Sequence, residues 1–179
     1  FFVMIFLGVD FLNPTAQSIH YFGGNYGPDV LLKGEYWRLL TSNYIHIGFI
    51  HLLFNMWCLY SIGIELEELI GSKYFLLIYS ICGVIGSISS CFINYNIIGA
   101  GASGAIFGIS GSLLVIGYFF NKNLKYHGFR YNYTPLMIFI AYNTIYGFTV
   151  SGIDNSAHIG GLLSGVILGY TVLYIQKEQ

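Results

Sequence analysis

Apolar residues run through this chain in long blocks, broken by charges, prolines and asparagine-rich clusters. The opening stretch, FFVMIFLGVDFL, stays apolar only to Asp10. Nine or ten helical residues cover about half of a ~30 Å hydrocarbon core, so the chain is expected to open inside its first membrane helix. It lacks the basic leading region and small-residue cleavage site of a signal peptide. A polar and aromatic connection follows over 11–44, with Pro14, Pro28, a Gly-Gly pair and GEYWRLL. Five further blocks are predicted as membrane helices over 47–64, 74–93, 103–120, 134–150 and 157–175. Each holds about 17–20 residues, enough for a helix to cross a bilayer. The pattern therefore predicts an all-α membrane protein: one domain over 1–179, a six-helix bundle with its first helix truncated.

Composition agrees. The 179 residues are 55% hydrophobic and 8% charged, with mean hydropathy +0.66, against roughly 25% charged residues in soluble domains. A net charge of −1 with scattered Lys and Arg excludes nucleic acid as a partner, since that requires a clustered basic face. Cys58, Cys82 and Cys91 lie in apolar blocks at no metal-ligand spacing, and read as small buried hydrophobes. Lys73, Lys122, Lys125, Arg130 and Lys177 fall on one side of the six-span layout, and Lys33 and Arg38 on the other. The positive-inside tendency makes the first side cytoplasmic. The short loops suggest a multi-pass protein of a prokaryotic cell membrane.

Against that background His46, His51, Asn55, Ser103 and His158 are out of place. Ionisable groups at membrane depth are costly, and they face the bundle interior or a wet cavity. Blocks two, four and six all enter from the outer side. His51 lies about one turn into the second, with Asn55 one turn deeper on the same face. Ser103 opens the fourth, and His158 lies in the first turn of the sixth. Each alone has a structural reading: a serine between glycines permits close helix contact, and a histidine hydrogen-bonds a carbonyl. Four at one depth supply the parts of acyl transfer. A serine hydroxyl needs a base to take its proton, and a histidine can accept it and pass it to the leaving group. His51, Asn55 and the backbone N–H of Ser103 are donors suited to an oxyanion. Gly104/Gly108 and Gly161/Gly165/Gly169 form small-residue stripes that permit the close approach of blocks four and six. Phe107, one turn below Ser103, is expected to pack on the His158 ring. Asp154 precedes His158 by four residues; it is expected to cap the last helix rather than complete a triad.

These residues resemble the rhomboid family of intramembrane serine proteases, over nearly the whole chain. GASG at 101–104 is similar to that family's GxSG motif, and AHIGGLLSG at 157–165 to its AHxxGxxxG motif. HIGFIHLLFN at 46–55 resembles its two histidines followed by asparagine. Trp37–Arg38 resembles the Trp-Arg pair of its first loop, and Gly63, Glu67 and Gly71 its glycine–glutamate–glycine pattern. The resemblance implies Ser103 as nucleophile, His158 as general base, His51 and Asn55 as oxyanion-stabilising groups, and His46 shaping the outer part of the site. It implies no metal and no other cofactor. Phe107 stands where some members carry tyrosine, which costs a hydroxyl and keeps the ring.

The implied substrates are transmembrane proteins, cut near the outer face after local unwinding, because a helix hides its own peptide bonds. Hydrolysis beneath the surface calls for a cavity open to the outside, roofed by the loop over 147–156, with the fifth helix as a gate. Tyr36 and Trp37 suit the membrane interface, and Arg38 is expected to hold the first loop through its carbonyls. Two competing classes are an inactive relative that binds membrane clients and a small channel. The first is expected to lack one of Ser103 and His158. The second needs a polar path right across the bilayer, and the polar residues here stop at mid-depth.

Overall fold

The computed structural model describes residues 1–122 and 131–177. Among these residues the regular secondary structure is helical, apart from an isolated antiparallel bridge between Asn25 and Gly99. A five-residue helix α1 (Phe2–Phe6) opens the chain, followed by short helices α2 (Ala16–Tyr21), α3 (Gly27–Lys33) and α4 (Arg38–Thr41), then a 3-10 turn at Ser42–Tyr44. The long helices are α5 (Phe49–Ile70), α6 (Ser72–Ile93), α7 (Ser103–Lys122), α8 (Thr134–Thr149) and α9 (Asn155–Lys177). Four of them, α5, α6, α7 and α9, are long and apolar enough to cross a membrane. At 16 residues, α8 extends about 24 Å, short of a ~30 Å core. Of the six predicted spans, four are thus met by full-length helices, while α8 is shorter and α1 covers only five residues. Lys125 and Arg130, which entered the orientation argument, lie outside the described residues.

The helix ends follow from local chemistry. The second block was expected to close at Ile64, yet α5 continues through ELEELI to Ile70, because Glu and Leu are strong helix formers. It stops at Gly71, whose φ of +80° a side chain would strain. That one glycine ends α5 and starts α6. α9 begins two residues before its predicted start, where the Ala157 N–H donates to Asp154 Oδ1 at 3.0 Å. This is the capping arrangement expected of Asp154.

Packing inverts the rule for soluble proteins. Ser110 and Ser112 of α7 are fully buried at 0% exposure, while Trp57 of α5 stands 66% exposed. Lipid is as apolar as leucine, so large side chains gain nothing by going inside; small ones do, by letting backbones meet. α7 is the central helix, packed chiefly on α9 and α6. A Cβ built on Gly161 or Gly165 of α9 would overlap the carbonyl of Gly104 or Gly108 of α7. Ser112 Oγ adds a hydrogen bond across this seam to the Gly165 carbonyl at 2.6 Å.

The 11–44 connection folds around a buried charge cluster. Arg38 is 5% exposed and Asp29 2%. Arg38 donates to the carbonyls of His20 at 2.7 Å and Gly24 at 3.0 Å, as expected of an arginine holding this loop, and to Glu35 at 2.6 Å. Asp29 meets Lys33 at 2.8 Å, His20 at 2.5 Å and Arg38 at 3.4 Å. The Lys33 ammonium, then His20 and the Arg38 charge, hold the Asp29 carboxyl below its ordinary titration range against the opposing effect of burial. Its stabilising contribution is therefore complete above the unfolded-state value of about 3.9 and disappears as pH falls through the lower native value. Asp29→Asn leaves a buried guanidinium short of charge and is expected to cost about 3 kcal/mol. Thermal unfolding in mild detergent at pH 7 reads this as a lowered midpoint, with the gap to wild type closing in acid. A variant melting like wild type at pH 7 contradicts the assignment.

Candidate active site

The site grows from the segment that leads into α7. Asn25 and Gly99 exchange backbone hydrogen bonds at 2.8 Å, and the Gly101 N–H donates to the Ser42 carbonyl at 3.0 Å. Gly101 has φ +133°, and a Cβ there would sit 2.6 Å from His51 Cε1. The chain can turn into α7 here, under an imidazole, only with glycine. His46 Nε2 accepts from the Ala102 N–H at 3.4 Å, which fixes the residue just before Ser103.

Ser103 is the first residue of α7 and is half-buried. Its Oγ lies 2.9 Å from Nε2 of His158, in the first turn of α9. The two residues are 55 apart in sequence. The glycine seam makes this distance possible, because it brings the α7 and α9 backbones into direct contact below the pair. His158 is 7% exposed, and its ring stacks on Phe107, with centroids 4.3 Å apart and planes 6° from parallel. Its Nδ1 has no partner among the described residues. Asp154 does not reach it: its Oδ1 takes hydrogen bonds from Asn94 Nδ2 at 2.7 Å, from the Ala157 N–H, and from the Ser156 hydroxyl. The imidazole is thus positioned by a ring face, without a carboxylate.

The helix α5 groups take defined roles of their own. His51 Nδ1 accepts from the Ile47 N–H at 3.3 Å, which leaves Nε2 carrying the proton as a donor if the ring is neutral. His46 and His51 meet edge to face at 5.4 Å. Asn55 is buried and donates through Nδ2 to the His51 carbonyl at 2.8 Å; its Oδ1 has no partner among the described residues. One amide hydrogen is therefore committed to its own helix, and one is left.

Sequence reasoning missed the groups behind Ser103. A polar cavity of about 30 Å³ borders it, with Asn25, Ser42, Asn43 and Ser87 in its wall. That volume admits a water molecule. Asn25 ties the wall together, donating to the Ser87 carbonyl at 2.9 Å and accepting from Cys91 Sγ at 3.1 Å. Their partners lie 62 and 66 residues away, so no local pattern marks them.

The Rhomboid domain model matches residues 33–175. The chain belongs to the rhomboid family. It is 46% identical over 136 residues to the rhomboid protease GluP of Bacillus subtilis (strain 168), covering 76% of this chain and 26% of GluP. It is 34% identical over 148 residues to the putative rhomboid protease YdcA of the same organism, covering 82% of this chain and 71% of YdcA. It is 36% identical over 163 residues to RHOMBOID-like protein 6, mitochondrial, of Arabidopsis thaliana, covering 91% of this chain and 52% of that protein. The chain thus spans a quarter of the first relative and half of the third. Membership places it as a multi-pass integral membrane protein with an all-helical bundle.

Proposed function

We propose that this chain is an intramembrane serine protease that hydrolyses peptide bonds of transmembrane proteins near the outer membrane face, with Ser103 as nucleophile and His158 as general base. The observation that carries this reading is the 2.9 Å contact between Ser103 Oγ and His158 Nε2. In that pair the hydroxyl donates to Nε2, and the proton moves to the ring as Oγ attacks the carbonyl carbon. The imidazolium that forms has the Phe107 face beside it, and a cation is attracted to a ring face. This takes the place of the carboxylate of a triad. The oxyanion meets His51 Nε2–H, the remaining Asn55 amide hydrogen and the free N–H groups at the α7 N-terminus. His158 then protonates the leaving amine, and water attacks the acyl-serine by the same route in reverse. The cavity behind Ser103 has room to hold that water. No metal or cofactor enters these steps.

Lys73 and Lys122, at the far ends of the helices from Ser103, support the orientation with the site toward the outside. The bacterial relatives GluP and YdcA favour a prokaryotic cell membrane. The loop between α8 and α9, with α8 itself, borders the access side. An inactive client-binding member would be expected to lack one of the two reacting residues, and this chain has both.

A fluorophosphonate probe tests the reading on detergent-solubilised protein. Labelling at Ser103 is expected in the wild type and is lost in Ser103→Ala and in His158→Ala. A wild type that takes no label refutes the proposal.

A further inference from the structure

Residues 94–102 join α6 to α7 without a helix of their own. Just ahead of Ser103 their backbone donors are taken by groups from elsewhere in the chain. The Gly99 N–H goes to the Asn25 carbonyl at 2.8 Å, the Gly101 N–H to Ser42 and the Ala102 N–H to His46. The glycine seam fixes α7 from Gly104 downward. What the seam leaves open is the direction from which the chain enters Ser103, and with it the plane of the 102–103 peptide. That peptide carries the Ser103 N–H, one of the donors assigned above to the oxyanion.

The Asn25 anchor is secured from both sides. Its Nδ2 donates to the Ser87 carbonyl at 2.9 Å and its Oδ1 accepts from Cys91 Sγ at 3.1 Å. Ser87 and Cys91 are one turn apart on α6, so the amide lies along one face of that helix. On the other side Arg38 holds the Gly24 carbonyl at 3.0 Å, and the Gly24 N–H donates to Ile19 at 2.8 Å. Asn25 itself is 3% exposed. A short planar amide supplies a donor and an acceptor at once; leucine matches its volume and supplies neither. We propose that Asn25 is a positioning residue for acyl transfer, hanging the chain ahead of Ser103 from α6 and so aiming the Ser103 N–H at the oxyanion. This deepens the protease reading and rests on it. The effect falls on rate rather than on substrate binding. Losing one oxyanion donor costs about 10²–10³ in kcat, so Asn25→Leu and Asn25→Ala are expected to lower kcat about 10²-fold with KM within about two-fold of wild type.

Fluorophosphonate titration of Ser103 in detergent separates aim from folding. A misfolded fraction lowers the amount labelled, whereas a misaimed donor lowers the rate. Both Asn25 variants are expected to label to the wild-type amount, about 10²-fold more slowly. Asn121→Ala is the control. Asn121 makes a comparable paired amide contact, to Tyr131 at 2.7 and 2.8 Å, at the opposite end of α7. Its loss is expected to lower the melting midpoint and leave the labelling rate alone. Asn25 variants that label at the wild-type rate overturn the proposal. A reduced amount at an unchanged rate overturns it too, because it marks a purely structural residue. If neither Asn25 variant folds, Cys91 decides: Cys91→Ala, which removes the thiol donor, is expected to slow labelling several-fold, and Cys91→Ser, which keeps a donor, to restore it. Cys91→Ala labelling like wild type then overturns the proposal. A wild type that takes no label removes the protease reading, and the role of Asn25 with it.

Discussion

Ser103→Ala and His158→Ala are each expected to lower cleavage of a transmembrane substrate by about 10⁴-fold or more, and the double variant by no more than either single one. The expectation follows from the proposed dyad, in which the two groups act as a unit across one 2.9 Å contact. A hydroxyl without a base does not ionise usefully at neutral pH, and a base without the hydroxyl has no nucleophile to activate. Additive losses would mean that the residues act separately, which contradicts a dyad. Asp154→Asn supplies the contrast. In a triad the equivalent change costs about 10⁴ in rate. Here the Asp154 side chain caps α9 and binds Asn94, and asparagine is also a good cap, so the rate is expected to stay within a few-fold of wild type. Single-turnover cleavage of one reconstituted substrate by all four variants decides between the schemes.

The second large effect concerns the seam that makes the pair possible. Gly165→Val places a branched side chain where even a Cβ would overlap the Gly108 carbonyl. Backbone cannot give way as a flexible side chain does, so overpacking is expected to cost at the upper end of about 1–3 kcal/mol, or more. The α7–α9 separation must also widen, and with it the distance from Ser103 to His158. Loss of stability and loss of fluorophosphonate labelling are therefore expected together. A control at Leu163 of α9, which is 58% exposed on the lipid side, predicts neither when changed to Val. Thermal unfolding and labelling rate, measured on both variants, check this. A Gly165→Val protein that melts and labels like wild type would show that the close seam is not required.

The same physics explains what could be read in advance. Helices α5, α6, α7 and α9 were legible because hydrocarbon thickness fixes the length of an apolar block, and that length is written locally. Ser103 and His158 were legible as candidates for a related reason: a polar group inside such a block is costly, so its presence alone asks for a purpose. Helix ends were less legible. The end of α5 turned on Gly71 rather than on the first glutamate, since Glu favours helix as much as it favours water. The 11–44 connection showed as polar and aromatic, but its three short helices form around the Asp29–Arg38 contact, which no spacing announces.

What the amino-acid order determined by itself is the four long apolar helices and the positions of the polar residues along them, because both follow from one-dimensional distance along a helix matched to a layer of fixed thickness. What only the tertiary structure decided is which faces meet. The stacking of Phe107 on His158, the idle Nδ1, the single Asn55 hydrogen left to donate and the polar cavity behind Ser103 all depend on rotation and approach of separate helices. Those are set by backbone contacts among glycines tens of residues apart, and no local pattern encodes them.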